Sequence, residues 1–352
     1  MKRLDAAVRN ASETTRLKHV RSKDAEVHVV GDDVLKVAVR PRACLSFATE
    51  GTILARFGPL AAECNIVRPI AFQQTETVPA GLEKNDATGC SLKYAVSLRE
   101  GSSGREGRHL TPIGGATCPA YLLLERCRFS LGDYLNECRH HGVTALPMRA
   151  ERARRDRWGA QLVLAVFYLH SNHVHHLDVK PDNVLVDQQD DVRLADFGEA
   201  VEGRSTVQDV PPGTARYMMP VLSSTAPLTH YYLKCRDLFA LVQTLRALHG
   251  ARDGGSASPA STWLHAVLTH PVVRDIRSTG SFARTHHAAT STAAAGSSSD
   301  PYRLRYQTWL GALHALLCRR RRFPPTLVPL FLICSRQLRS MVVADSDKLR
   351  SP

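Results

Sequence analysis

No two cysteines in this chain are spaced C-x-x-C, and the nine present, scattered from Cys44 to Cys334, are odd in number. That pattern excludes a paired disulfide framework and reads as reduced thiols in an intracellular protein. The N-terminal stretch "MKRLDAAVRNASETTRLK" has no apolar run, so no secretory signal is expected. The longest apolar stretch near the other end, "LVPLFLIC", is far too short to span a bilayer, and a soluble protein is expected. Acidic residues are in deficit: 33 against 46 basic ones, for a net charge of +13 and a pI near 9.6. A basic balance fits contact with nucleic acid, acidic protein surfaces or anionic lipid, and equally a solvated basic surface. No aromatic-interleaved basic repeat or zinc-finger spacing points to nucleic acid.

The 352 residues, 43% of them hydrophobic, are enough for about two domains or one two-lobed domain. Residues 1–16 read as a loose tail. "EVHVVGDDVLKVAV" (26–39) gives two β-rich runs joined by Gly31-Asp32-Asp33, a hairpin signal. "SFATEGTILARF" (46–57) has helical apolar spacing around Glu50, and "NIVRPIAF" (65–72) reads as a strand. Residues 76–117 are rich in Gly, Ser and charge and read as a mobile insertion, in which "LKYAVSL" still has strand character. "AYLLLERC" (120–127) is a buried strand by its apolar run. "WGAQLVLAVFYLHS" (158–171) predicts a helix with Trp158, Leu162, Ala165, Val166 and Leu169 on one face. "DLFALVQTLRALHG" (237–250) predicts another, stopped by Gly250. Residues 277–300 are of low complexity, and "TLVPLFLICSRQL" (326–338) predicts a last buried helix. Strands precede helices, which suggests an α+β chain: a small β-rich lobe, then a larger helical one. The expected division is 17–126 and 127–352.

"HHLDVKPDNVLVDQQDDVRLADFGEA" (175–200) interleaves Asp178, Lys180, Asn183 and Asp196 with apolar anchors, which a solvated loop does not need. His176-Leu177-Asp178, Asn183 five residues after Asp178, and Asp196-Phe197-Gly198 match a catalytic loop and a metal-binding motif in order. On these residues the chain resembles the eukaryotic protein-kinase family over nearly all its length, which implies a two-lobed kinase-like fold.

The resemblance implies roles. Asp178 would orient a substrate hydroxyl and accept its proton, and Lys180 would neutralise the transferring phosphoryl group. Asn183 and Asp196 supply hard oxygen ligands suited to Mg²⁺. Lys36 in "DVLKVAV" would bind ATP phosphates, with Glu50 as ion-pair partner and Glu63 as its competitor. Val27, Val34 and Leu185 would line the adenine site, with Leu185 as its floor. Backbone groups of Glu125 and Cys127 would meet the adenine edge, with Leu124 guarding the back. In "PGTARYMMP" (212–220), Thr214 would bond both Asp178 and Lys180, a Ser/Thr rather than Tyr signature. Asp237, read at its helix start, would brace the catalytic-loop backbone; an ordinary helix-dipole Asp is the plainer reading.

Three departures stand out. Val20, Ser22 and Ala25 occupy the places of the three phosphate-loop glycines, so a looser phosphate lid is expected. Leu177 replaces the Arg usual before the catalytic Asp, which leaves no charge to receive an activation-segment phosphate. Val221 replaces the Glu of "A-P-E". A narrower likeness, in "HLDVKPDNVLV", "LFALVQTLRAL" and "FPPTLVPLFLICSRQL", is to the conserved tegument Ser/Thr kinases of herpesviruses. It implies a virion tegument and host-nuclear location. "CRRRR" (318–322) would then serve as an import signal or as a helix C-terminal basic cap. The expectation is a monomeric Ser/Thr protein kinase using ATP and Mg²⁺ on protein hydroxyls. Its rivals are a pseudokinase scaffold that binds nucleotide weakly and a small-molecule phosphotransferase on a related fold.

Overall fold

The computed structural model describes residues 25–38, 41–74, 94–97, 121–141, 148–203, 213–219, 229–250, 267–269, 302–303 and 306–311. They form two compact units, one made of the described residues up to Cys127 together with Asp196–Gly198, the other of the rest. The first is a small antiparallel sheet with one long helix; the second is predominantly helical. Among the described residues no helix is long and apolar enough to cross a membrane.

In the first unit, β1 (Ala25–Val30) and β2 (Asp33–Ala38) pair antiparallel with Val30 opposite Asp33. The connection is the two-residue turn Gly31-Asp32, where Gly31 takes φ 61°. A left-handed turn matches the strand twist and suits glycine. The sheet continues with β3 (Pro69–Gln74), β4 (Tyr94–Ser97) and β5 (Tyr121–Glu125) in the order β1-β2-β5-β3-β4. β5 is central, and Leu122, Leu123 and Leu124 are all buried, as the continuous apolar run requires. Helix α1 (Pro41–Phe57) packs Phe47, Ile53, Leu54 and Phe57 into the core of this unit.

The second unit contains β6 (Phe129–Ser130), α2 (Leu131–His141), α3 (Met148–Ser171), β7 (Val174–His175), β8 (Val184–Val186), β9 (Val192–Leu194), β10 (Val201–Glu202) and α4 (His230–Gly250). Two small sheets, β6-β8-β9 and β10-β7, hold its loops. Every residue from Trp158 to His170 is buried. α3 is therefore enclosed on all sides here rather than on one face, as an apolar run of three turns permits. Arg154 and Arg157 of α3 both grip the Asp190 carboxylate in the β8–β9 turn. Trp158 Nε1 donates to the Asp190 carbonyl at 2.8 Å, and Gln161 Oε1 accepts from Val192 N at 3.1 Å. The hairpin that separates Asn183 from Asp196 is thus bolted to the most buried helix. Arg155 pairs with buried Glu151 at 2.9 Å and reaches the Leu248 carbonyl at 3.1 Å, tying α3 to the end of α4.

Several sequence expectations need correction. α1 begins five residues before 46, α3 ten before 158 and α4 seven before 237. The strand expected over 65–72 starts only at Pro69, because Asn65 adopts a left-handed φ of 59° and ends a turn. Ala25 lies inside β1 opposite Ala38 rather than in a phosphate loop, and residues 20–24 lie outside the described residues. β4 realises the strand foreseen in "LKYAVSL"; the rest of 76–117 apart from 94–97, and all of 277–300 and 326–338, lie outside the described residues.

Gly51 on α1 faces the buried Phe72 ring, which a Cβ there would strike. Helix propensity alone favours alanine over glycine by about 1 kcal/mol. Overpacking against an immobile ring costs about 1–3 kcal/mol. Gly51→Ala should therefore destabilise the protein, seen as a lower urea midpoint at unchanged slope; a higher midpoint would show that the ring yields.

Candidate active site

The site residues fall into two groups, one in each unit. In the first, Lys36 on β2 sits opposite Val27 in the ladder. Its Nζ donates to Glu50 Oε2 at 2.7 Å and to Asp196 Oδ1 at 3.1 Å. Glu50 is 1% exposed and also accepts a backbone hydrogen bond from Phe197. Glu63 is exposed and plays no part in this pair. Burial would lower the Lys36 ammonium pKa, but the carboxylates of Asp196 and Glu50 outweigh it and hold the pKa above the ordinary lysine value. Burial pushes the Glu50 carboxyl up, against the pull of Lys36. A Cβ at Gly198 would strike Ser46 Oγ on α1, so that hydroxyl would have to turn away. Val27 is buried and Val34 half-buried. Glu125 closes β5: its N–H donates to the Arg68 carbonyl at 3.0 Å, and its carboxylate accepts from Arg68 N at 2.8 Å. Cys127 is half-buried.

In the second unit, the Asp178 carboxylate is the hub. Oδ2 accepts from Lys180 Nζ at 2.6 Å and from Asn183 Nδ2 at 2.9 Å. Oδ1 accepts from Thr214 Oγ1 at 3.1 Å and Thr214 N at 3.3 Å, while Lys180 Nζ also donates to Thr214 Oγ1 at 2.9 Å. Asn183 Nδ2 donates in addition to the Asp178 carbonyl at 2.9 Å. Its amide nitrogen is thus spent on the loop, which leaves Oδ1 as the atom it can offer a hard cation. Asp196 offers a carboxylate that is 49% exposed. An amide oxygen and a carboxylate are each donor types that Mg²⁺ takes from proteins, so each residue in its own unit is of a kind that suits that ion. Leu185, on β8 between Ser130 and Arg193, is half-buried.

The backbone at His176 and Leu177 hangs on Asp237. This residue lies about two turns into α4, not at its start, and is completely buried, which removes the helix-dipole reading. Oδ2 accepts from His176 N at 2.8 Å and Oδ1 from Leu177 N at 2.7 Å. His170 Nε2 meets Oδ2 at 3.0 Å, and His170 Nδ1 meets Tyr306 Oη at 2.9 Å. A carboxylate only accepts, so Nε2 carries the His170 proton and Nδ1 accepts from the tyrosine. Burial pushes Asp237 up, but the His170 hydrogen bond and the neighbouring imidazoles outweigh it and hold the carboxyl below its usual range. His170 was not anticipated from sequence. The available signal was a lone polar residue closing the apolar run "LVLAVFYLH".

Residues 118–248, a little over a third of the chain, match the protein kinase domain. The chain is 41% identical over 71 residues to the Serine/threonine-protein kinase Nek6 of Oryza sativa, a stretch covering 20% of this chain and 13% of that protein. It is 32% identical over 162 residues to the membrane-associated tyrosine- and threonine-specific cdc2-inhibitory kinase of Drosophila melanogaster, covering 44% and 27%. It is 40% identical over 106 residues to the Serine/threonine-protein kinase fused of the same fly, covering 29% and 12%. The alignments thus span less than a third of each of these relatives.

Beside Asp237 lies His175, completely buried, with no hydrogen-bond partner at either ring nitrogen. Burial depresses its pKa from 6.5 to about 3; nearby His170, Lys234 and His230 push the same way, against Asp237. The folded chain therefore resists a proton that the unfolded chain accepts. Stability from this group is full above about pH 6.5 and is lost as pH falls toward 3, by up to about 1.4 kcal/mol per pH unit. His175→Leu should remove that loss. Between pH 7 and pH 5 the variant should lose about 2 kcal/mol less unfolding free energy than the parent, read by urea titration at both values. Equal losses would place the acid sensitivity elsewhere.

Proposed function

We propose, for a chain that belongs to the eukaryotic protein-kinase family through residues 118–248, that it transfers the γ-phosphoryl group of ATP to Ser or Thr hydroxyls of proteins. The observation that carries this reading is the four-residue network in which Lys180, Asn183 and Thr214 all converge on the Asp178 carboxylate. Oδ1 and Oδ2 are held in fixed directions before any substrate arrives, which is the preorganisation a general base needs. Asp178 would orient the acceptor hydroxyl and take its proton as the oxygen attacks phosphorus. Lys180, already beside that carboxylate, would offset charge on the phosphoryl oxygens. Lys36, held protonated by its two carboxylates, would bind the phosphates as a point charge. Bound Mg²⁺ would neutralise charge on the phosphates, with Asn183 Oδ1 and the Asp196 carboxylate as its protein ligands.

Ser/Thr rather than Tyr specificity is supported by the Lys180–Thr214 bond and by the names of two of the three relatives. A pseudokinase is the second reading, favoured by the glycine-free run 20–25 ahead of the Lys36 hairpin. Against it stand Lys36, Asp178, Lys180, Asn183 and Asp196 together. Nucleotide binding by the parent chain without phosphate transfer would select that scaffold reading. A virion tegument and host-nuclear location rests on the narrower herpesvirus likeness of three motif stretches, and nuclear import of a fluorescently tagged chain tests it.

Asp178→Asn should keep ATP affinity and lower kcat by about 100- to 10,000-fold, the usual worth of a positioned base. Asp196→Ala should abolish Mg²⁺-dependent transfer while near-native circular dichroism shows an intact fold. Full activity in either variant sinks the mechanism. Because Leu177 offers no charge to a phosphate, Ser205→Ala combined with Thr206→Ala should retain most activity in a filter-binding kinase assay. A hundredfold loss would reveal another basic residue in that role.

A further inference from the structure

Asp178 and Thr214 are joined by two hydrogen bonds, and the residue before each of them is touched by one and the same side chain. Arg236, the neighbour of Asp237 on α4, is 1% exposed. Its Nη2 donates a long hydrogen bond, 3.4 Å, to the carbonyl of Leu177. At Gly213 a Cβ would stand 2.5 Å from that Nη2 and 3.3 Å from the Leu177 carbonyl oxygen. The Gly213 backbone therefore lies flush against the guanidinium, and only glycine permits the approach.

Leu177 is held at both of its backbone groups by consecutive residues of α4. Its N–H goes to Asp237 Oδ1 at 2.7 Å and its carbonyl takes Arg236 Nη2. It needs that grip, because its φ of 64° is left-handed, where a γ-branched side chain rarely settles unless its surroundings hold it. The orientation of the Leu177–Asp178 peptide sets the direction in which the Asp178 side chain leaves the loop. The seat of Gly213 on the guanidinium sets the position of Thr214 in the same way.

We infer that Arg236 is a positioning residue: by holding the residue before Asp178 and the residue before Thr214, it fixes the separation of that pair. The inference rests on the kinase reading only for what the separation is used for. Lys36 and Glu50 do not touch this arrangement, so the effect of losing it falls on turnover and not on nucleotide binding. A buried arginine with a purely structural role would instead lower the melting temperature and leave the turnover of each folded molecule unchanged.

The test uses the full chain with Mg²⁺-ATP and mixed protein substrates, and compares Arg236→Lys, Gly213→Ala and the double variant. Each single change should lower kcat by about 10- to 100-fold with KM for ATP within about twofold, since small misplacements of reacting groups cost rates of this order. The double variant should lose less than the product of the single losses, because a shorter lysine leaves room for the Cβ at 213. Hydrogen exchange should quicken in peptides covering 174–180 and 213–219 in both single variants. Unchanged kcat, or single losses that simply multiply, overturns the proposal. If Arg236→Lys does not fold, Gly213→Ala carries the test through kcat and exchange. If the parent chain transfers no phosphate, the kinase reading fails and exchange still decides: unchanged protection at 213–219 in the folded variant overturns the tether.

Discussion

The buried carboxylate of Asp237 is the constraint on which the second unit depends. It takes hydrogen bonds from two successive backbone amides, His176 and Leu177, and from the His170 ring. Hydrogen bonds to a charged acceptor are about twice as strong as neutral ones, and a buried carboxylate without them would cost several kcal/mol. The exchange is therefore mutual: the loop neutralises the anion, and the anion holds the loop. His176 carries the constraint onward, with Nε2 meeting the Ala195 carbonyl at 3.0 Å and Nδ1 accepting from Asp178 N at 3.3 Å. Ala195 N in turn donates to the Asn183 carbonyl at 2.9 Å. One carboxylate on α4 thus reaches both ends of the β8–β9 hairpin through three bonds in series.

The first unit has a different electrostatic logic. Lys36 faces two acidic side chains, one wholly buried and one half-exposed, so two carboxyl groups share one ammonium. Both acids pair with the lysine, and the Asp196 side chain remains 49% exposed. Exposed carboxylate oxygen is a donor that attracts a hard cation. Asp196–Gly198 packs with this unit while Ala195 and Glu199 pack with the other, so the chain crosses between the units twice within five residues. The left-handed φ of 66° at Asp196 accompanies the first crossing.

Much of this was legible in the sequence, for identifiable reasons. The hairpin at Gly31-Asp32, the central strand "YLLLE" and the helices around Trp158 and Asp237 follow from local patterns: a two-residue turn, an apolar run, a helical period. Asp178, Lys180, Asn183 and Asp196 were found because one short stretch contains all four at fixed spacing. The Glu50 partnership was readable only as a choice between two acids, and burial decides it. The starts of α3 and α4 lie ten and seven residues before their apolar runs because "MRAERARRDR" and "HYYLKCR" carry charge that reads as loop. In the fold that charge is used: Glu151 and Arg155 pair, Arg154 and Arg157 grip Asp190, and Lys234 lies 5.0 Å from the Tyr306 ring. Local composition cannot show that a polar residue has a partner many positions away.

Distant partners also permit irregular backbone. Among the described residues, five that are not glycine have left-handed φ: Asn65, His173, Leu177, Asp190 and Asp196. Asn and Asp tolerate that region because short polar side chains bond locally, and turn positions account for Asn65 and Asp190. Leu177 has no such excuse. A leucine there costs about 1–2 kcal/mol. The compensation comes from the charged hydrogen bond at its N–H, worth about 1.5–3 kcal/mol. Strain is thus placed next to Asp178 and balanced by a residue sixty positions away in sequence. An apolar residue suffices at position 177 because its backbone, rather than its side chain, is what α4 holds.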